Sequence, residues 1–136
     1  MNSTYYIVII AGVVLAVITL GEMVRRKPAR LPRAIYNERW RELQKHCADK
    51  NTWPLAIIDA DNLLDKALRA RKYKGKTTGE RLVAAQHSLS ANDSVWFGHK
   101  LRNKIVHEDA RKLRKQDVLE ALSGFRQALK DLGAMD

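Results

Sequence analysis

The chain has 136 residues, and its 25 Lys and Arg against 15 Asp and Glu give a formal charge of +10. That balance excludes an acidic disordered protein and favours polyanionic partners, nucleic acid or anionic lipid. A lone cysteine, Cys47, excludes an intrachain disulfide framework and fits a reducing compartment, while 3 Pro and 7 Gly exclude low-complexity and fibrous classes.

The apolar residues are concentrated at the start. Residues 5–20 (YYIVIIAGVVLAVITL) carry no charge, and Thr19 is the polar interruption. Sixteen to eighteen helical residues reach roughly 24–27 Å. That suffices for a hydrocarbon core of about 30 Å with modest thinning. Tyr5 and Tyr6 suit the outer interface. The rival reading, a cleaved signal peptide, needs basic residues before the block and a small-x-small site after it. MNST has none, and Leu20-Gly21-Glu22-Met23 is a poor site. A buried core helix would leave a small domain no polar face to solvate.

The expectation is therefore a transmembrane anchor over residues 1–24. Arg25, Arg26, Lys27, Arg30 and Arg33 follow, with no acid until Glu38. By the positive-inside rule these cations stay at the cytoplasmic face, which predicts a single-pass inner-membrane protein with its N-terminus out. Each can contribute about 1 kcal/mol of attraction to anionic lipid. Pro28 and Pro32 interrupt helix continuity, so residues 25–36 read as a basic juxtamembrane linker.

The remainder, residues 37–136, reads as an all-α bundle of about five helices. The first covers residues 37–48, with Trp40, Leu43 and Cys47 on one face. Thr52 caps a second helix that carries Pro54 in its first turn and runs to about Tyr73, with Ile57, Ala60, Leu64 and Ala67 as its stripe. Thr77 and Glu80 form a capping box for the third, which carries Leu82, Val83, Gln86 and Leu89. The fourth is capped by Asn92 or Asp93 and runs to about His107. The fifth starts near Arg114, places Val118, Leu122, Phe125, Leu129 and Leu132 at helical spacing, and stops at Gly133. About 100 residues bury a small core, which a dimer would supplement.

The fourth helix is the most informative. Val95, Leu101, Ile105 and Val106 define an apolar arc, and Arg102 falls inside it. Beside it His99, Asn103 and His107 form an i, i+4, i+8 row. A guanidinium on an apolar arc needs a partner, either a packed subunit or a bound anion. The run Leu101-Arg102-Asn103-Lys104-Ile105-Val106-His107 resembles the R-x4-H motif of the HEPN superfamily, whose members are small helical bundles. The resemblance extends in helical layout over residues 37–133. It implies metal-independent cleavage of RNA at a site composed by two copies of the motif helix in a homodimer, with no cofactor. In that scheme the catalytic residues are Arg102, Asn103 and His107. His107 would transfer a proton at the ribose 2′-hydroxyl or the leaving oxygen, Arg102 would hold the scissile phosphate, and Asn103 would orient either.

The same residues also have a structural reading. Arg102 pairs with an acid such as Asp61 or Asp65, His107 interacts with the helix dipole, and the domain is a noncatalytic module that binds RNA or protein at the membrane. His99 reads as a packing histidine. Two basic clusters, Arg69, Arg71, Lys72, Lys74 and Lys76 around Tyr73, and Arg111, Lys112, Arg114 and Lys115, would form a track for single-stranded RNA, with Tyr73 to stack. Alternatively they are solvated surface or lie on the inner leaflet. No metal site is expected: among Asp59, Asp61 and Asp65 only the last two share a face, and His46-Cys47 lacks a second pair. Solvation, or pairing with Lys66 and Arg69, is the expected use of those acids. Gly75 and Gly79 lack the phosphate-loop pattern.

Overall fold

The computed structural model describes residues 2–25, 28, 30–108 and 112–136, and among them there are six α-helices and no strand. Helix α1 is Asn2–Arg25. Its segment Ser3–Val24, 22 residues, is long and apolar enough to cross a membrane, a property that a signal sequence shares. At 1.5 Å per residue it reaches about 33 Å. Every described side chain of α1 is exposed. Its one uncharged hydroxyl past the tyrosines is satisfied internally, because Thr19 donates to the carbonyls of Leu15 and Ala16 at 3.0 Å each.

Helix α2 is Arg33–Gln44, four residues ahead of the expected start at Asn37. The Pro32 carbonyl accepts the Ile35 and Tyr36 amides, so the proline opens the helix rather than separating it from a linker. Leu31 and Tyr36, read from sequence as linker, are 6% and 3% exposed in the core. Trp40 and Leu43 continue that face, and the tail of the expected helix is a 3-10 turn, Lys45–Ala48.

Helix α3, Trp53–Ala70, has Pro54 in its first turn. Thr52 precedes it without capping it, since its hydroxyl donates back to His46 and Asp49 carbonyls. The stripe Ile57, Ala60, Leu64 and Ala67 is fully buried. Helix α4, Thr78–Ala85, opens on the capping box of Thr77 and Glu80, in which each side chain takes a backbone N–H of the other end. Its Leu82 is buried and Val83 is exposed; Gln86 belongs to a 3-10 turn and Leu89 to the core.

Helices α5 (Asn92–Glu108) and α6 (Lys115–Asp131) form the tightest pair in the bundle. Two glycines permit the approach. A Cβ on Gly124 would lie 2.5 Å from the backbone of Ser94, and one on Gly98 would lie 2.7 Å from the Phe125 ring. Val118, Leu122, Phe125, Leu129 and Leu132 are all buried, as their spacing predicts. Gly133, at φ +75°, ends α6 by letting Ala134 N–H reach the Leu129 carbonyl. The chain's last residues then return to α2, where Arg33 donates to the Gly133 carbonyl and pairs with Asp136.

Candidate functional site

Helix α3 carries an anomaly on its apolar stripe. Asp61 lies between Ile57 and Leu64 on that face and is only 1% exposed. A buried carboxylate needs donors. His99, on α5, supplies one: its Nδ1 lies 2.8 Å from Asp61 Oδ1. Arg102, one turn further along α5, places Nε 3.5 Å from Asp61 Oδ2. Its other end donates from Nη1 to Asn103 Oδ1 at 3.1 Å. The Asn103 amide nitrogen in turn lies 3.4 Å from His99 Nε2.

These contacts close a ring from Arg102 to Asn103 to His99 to Asp61 and back to Arg102. The donor directions are consistent in one sense only. Arg102 has no acceptor to offer, so the Asn103 oxygen faces it and the Asn103 NH2 faces His99. The imidazole then accepts at Nε2 and donates from Nδ1 to Asp61. Trp96 and the imidazole pack T-shaped, with ring centroids 5.9 Å apart.

A second cluster adjoins the first. Asp65, one turn after Asp61, accepts from Arg69 at 2.8 Å and from Arg81 at 2.7 Å. Arg81 is 5% exposed and also donates to the Gly75 carbonyl. Burial pushes the Asp65 carboxyl up, but hydrogen bonds from Arg81 and Thr78 and the charges of Arg81 and Arg69 outweigh it and hold it below the ordinary 3.8.

Above both clusters lies a cleft of about 450 Å³, lined by Arg69, Lys76, Arg81, His99, Arg102 and Asn103 and by the first residues of α4, Thr77, Thr78 and Gly79. Four cationic side chains, from α3, α4, α5 and the loop before α4, meet there with no acid in the lining. The open end of α4 adds the positive end of a helix dipole and two amides that the helix cannot satisfy itself.

The expected site residues divide. Arg102 and Asn103 stand in the cleft, and so do Arg69 and Lys76. His107 does not: it is exposed at the end of α5 and forms no hydrogen bond or ion pair among the described residues. Five residues along a helix turn a side chain by about 140° away from Arg102. The expected apolar arc also divides, with Val95 buried, Leu101 and Ile105 half-buried and Val106 exposed. Arg102 finds its partner within its own chain, so its position on that arc does not by itself call for a second subunit.

Tyr73 is committed elsewhere, its ring packed on the core and its hydroxyl donating to Ser88, which leaves it poorly placed to stack a base. Arg71 is half-buried, Lys72 and Lys74 are exposed, and Lys72 takes a left-handed turn at φ 62° after α3. Lys112 and Lys115 are exposed, and Arg114 is paired with Asp117 at 2.9 Å. Arg30 is exposed, and Arg33 is paired with Asp136 rather than free for lipid. The side chain of Arg25, and Arg26, Lys27 and Arg111 as a whole, lie outside the described residues. No group of three or more His, Cys, Asp or Glu able to hold a metal occurs among the described residues.

One member of the site, Arg81, escaped the sequence reading. Asp61 was expected to be solvated, paired with Lys66 or Arg69, or partnered by Arg102 in the structural reading, and the Arg102 contact is present at 3.5 Å. That His99, expected as a packing or hydrogen-bonding residue, would take Asp61 as its partner was not foreseen. For Asp61 a signal existed, because it lies within 60° of both Ile57 and Leu64 on the helical wheel, inside the apolar stripe.

The fold and site together define an all-helical bundle that carries an Asp–His–Asn–Arg ring, buried at Asp61 and His99 and open at Asn103 and Arg102 to a cationic cleft. Set against protein-family models, curated proteins and solved structures, the chain matches none of them.

Proposed function

We propose that this chain is a membrane-anchored, HEPN-like helical module that binds single-stranded RNA through its phosphates. The observation that carries the reading is the acid-free lining of the cleft, where Arg69, Lys76, Arg81 and Arg102 converge. RNA binding by such a surface is driven by counterion release and is strongly salt-dependent. The apolar helix α1 would hold the bundle at the inner face of the cytoplasmic membrane, with the cations that follow it against anionic lipid. Because Arg102 is tied to Asp61 and His107 points away, one copy of the chain supports binding more directly than cleavage.

A specific observation favours a second reading, the metal-independent ribonuclease. His107 and Val106 are both exposed at the end of α5, where a second copy could bring its own His107 toward Arg102 in a homodimer. One experiment separates the two. The full chain in detergent is incubated with labelled single-stranded RNA in EDTA, and both binding and cleavage are followed. The module binds without cutting, and replacing Lys76 with Gln lowers the slope of log K against log salt by about 0.7. The ribonuclease leaves 2′,3′-cyclic phosphate ends, spares DNA, and loses about 10²–10⁴-fold activity in His107→Ala. RNA that is neither bound nor cut overturns both.

A further inference from the structure

We propose that the cleft holds one defined seat for a phosphodiester group, built around His99 rather than His107. The seat rests on the reading of the cleft as an RNA-phosphate site and names its ligands. His99 is 8% exposed, yet it lines the cleft. Asp61 holds its Nδ1 edge and Trp96 holds its face, so the Nε2 edge is directed between Asn103 and the start of α4. The partner there is the weakest link of the ring, the Asn103 amide nitrogen at 3.4 Å, a donor that an anion can displace once Nε2 carries a proton. Arg102 adds a guanidinium beside it: Nε is turned to Asp61, 3.5 Å away, so the terminal nitrogens are the ones offered to the cleft.

The opposite wall is backbone. Gly79 has no side chain, and a Cβ placed there would be 3.7 Å from His99 Nε2 and 3.8 Å from Trp96. The space between α4 and the imidazole is therefore open because residue 79 is glycine, and it lies where the Thr78 and Gly79 amides head the helix.

A phosphodiester has no proton to give to Nε2, so seating it requires the imidazole to take one proton from solvent. His99 would then donate from Nδ1 to Asp61 and from Nε2 to the phosphate. Affinity therefore rises as pH falls. The charged groups that bear on His99 are Asp61 from α3, Arg102 on its own helix, and, across the cleft, Lys76, Arg69 and Arg81 with their partner Asp65, and Glu80 at the start of α4. The buried face of α6 presents Phe125 and other apolar residues. A bound anion stabilises the charged imidazole, which is why proton uptake is linked to binding.

The test uses the full chain in phosphatidylcholine nanodiscs, with dimethyl phosphate as a probe that does not titrate in this range, followed by the 15N shift of the His99 ring. The expected result is saturable movement of Nε2 toward its protonated position, tighter at pH 6 than at pH 8 and by no more than about a hundredfold, the bound that uptake of one proton sets over two pH units. Gly79→Ala places a methyl in the seat and should weaken binding at least tenfold with the melting temperature retained. Should that variant melt early, Arg102→Gln decides, and unchanged binding in it overturns the seat. A shift reproduced by sodium chloride at equal ionic strength also overturns it. Single-stranded RNA and phosphatidylglycerol nanodiscs identify the source. RNA that binds without moving His99 overturns the seat and leaves the RNA reading standing. A shift with phosphatidylglycerol, from a chain that does not bind RNA, supports the seat and overturns the RNA reading.

Discussion

His99 Nδ1 lies 2.8 Å from Asp61 Oδ1 across 38 residues of sequence, and that contact joins α5 to α3 at the one carboxylate buried in the core stripe. Its stability cost can be read by removing either side. Asp61→Ala leaves the His99 Nδ1–H buried without an acceptor, for which about 1–3 kcal/mol of destabilisation is expected. Asp61→Asn keeps a carbonyl oxygen in place and should cost less. Arg102→Ala should cost least, because its guanidinium reaches water and its Asp61 contact is long. Urea unfolding of the three variants gives the order, and an Arg102 loss larger than the Asp61 loss contradicts it.

The α5–α6 contact should be intolerant of a single methyl group. Gly124→Ala drives a Cβ into the Ser94 backbone, which cannot turn aside, and Gly98→Ala drives one into the Phe125 ring. Overpacking of this kind costs about 1–3 kcal/mol. For a domain of this size each kcal/mol lowers the melting temperature by about 4–8 °C. Gly124→Ala is expected to be the worse of the two. Equal melting temperatures for wild type and Gly124→Ala would show that the helices separate freely.

Acid should unfold the bundle partly through Asp65 and Asp131. Burial raises the Asp131 carboxyl, but the Ser90 amide, the Gln127 side chain and the Ser90 hydroxyl outweigh it, so both acids titrate below 3.8 when folded. A depressed folded value means that the unfolded chain binds the proton first. The stabilisation is therefore whole above the ordinary carboxylate value and is lost as pH falls through the folded values. Unfolding free energy measured from about pH 5 to about pH 2 should decline, and Asp131→Asn should flatten the decline. A slope unchanged in that variant would remove Asp131 from the account.

Reporter fusions at the C-terminus test the anchor and its direction. A cytoplasmic signal is expected, with the chain recovered in the membrane fraction. Replacing Arg25, Arg26 and Lys27 with Gln should scramble the orientation, because those charges set it. A reporter active outside the cytoplasm contradicts the topology, and a chain found free of its first two dozen residues marks them as a signal peptide.

Much of this protein is determined by the order of its residues alone. Helix identity is a local property: the 3.6-residue period of Val118, Leu122, Phe125, Leu129 and Leu132, the capping box of Thr77 and Glu80, and the stop at Gly133 each act within a few residues and are met again in the structure. The charge-free block at the start is likewise legible, since length and apolarity suffice to read it. The start of α2 was misplaced because Pro32 reads as a breaker in sequence but works as an opener once Leu31 and Tyr36 have a core to enter. The site was legible in Arg102 and Asn103, in the cleft cations Arg69 and Lys76, and in Asp61 as one of two acids offered to Arg102. Which acid meets which cation depends on how α3, α4 and α5 cross, and a motif on one helix carries no information about that crossing. Asp61 and His99 became partners, and Arg81 became Asp65's, only through packing between residues 38 and 16 positions apart. His107, at motif spacing from Arg102, lies about 140° around the helix from it and on the last, exposed turn of α5, and only the packing of the bundle decides where that turn ends.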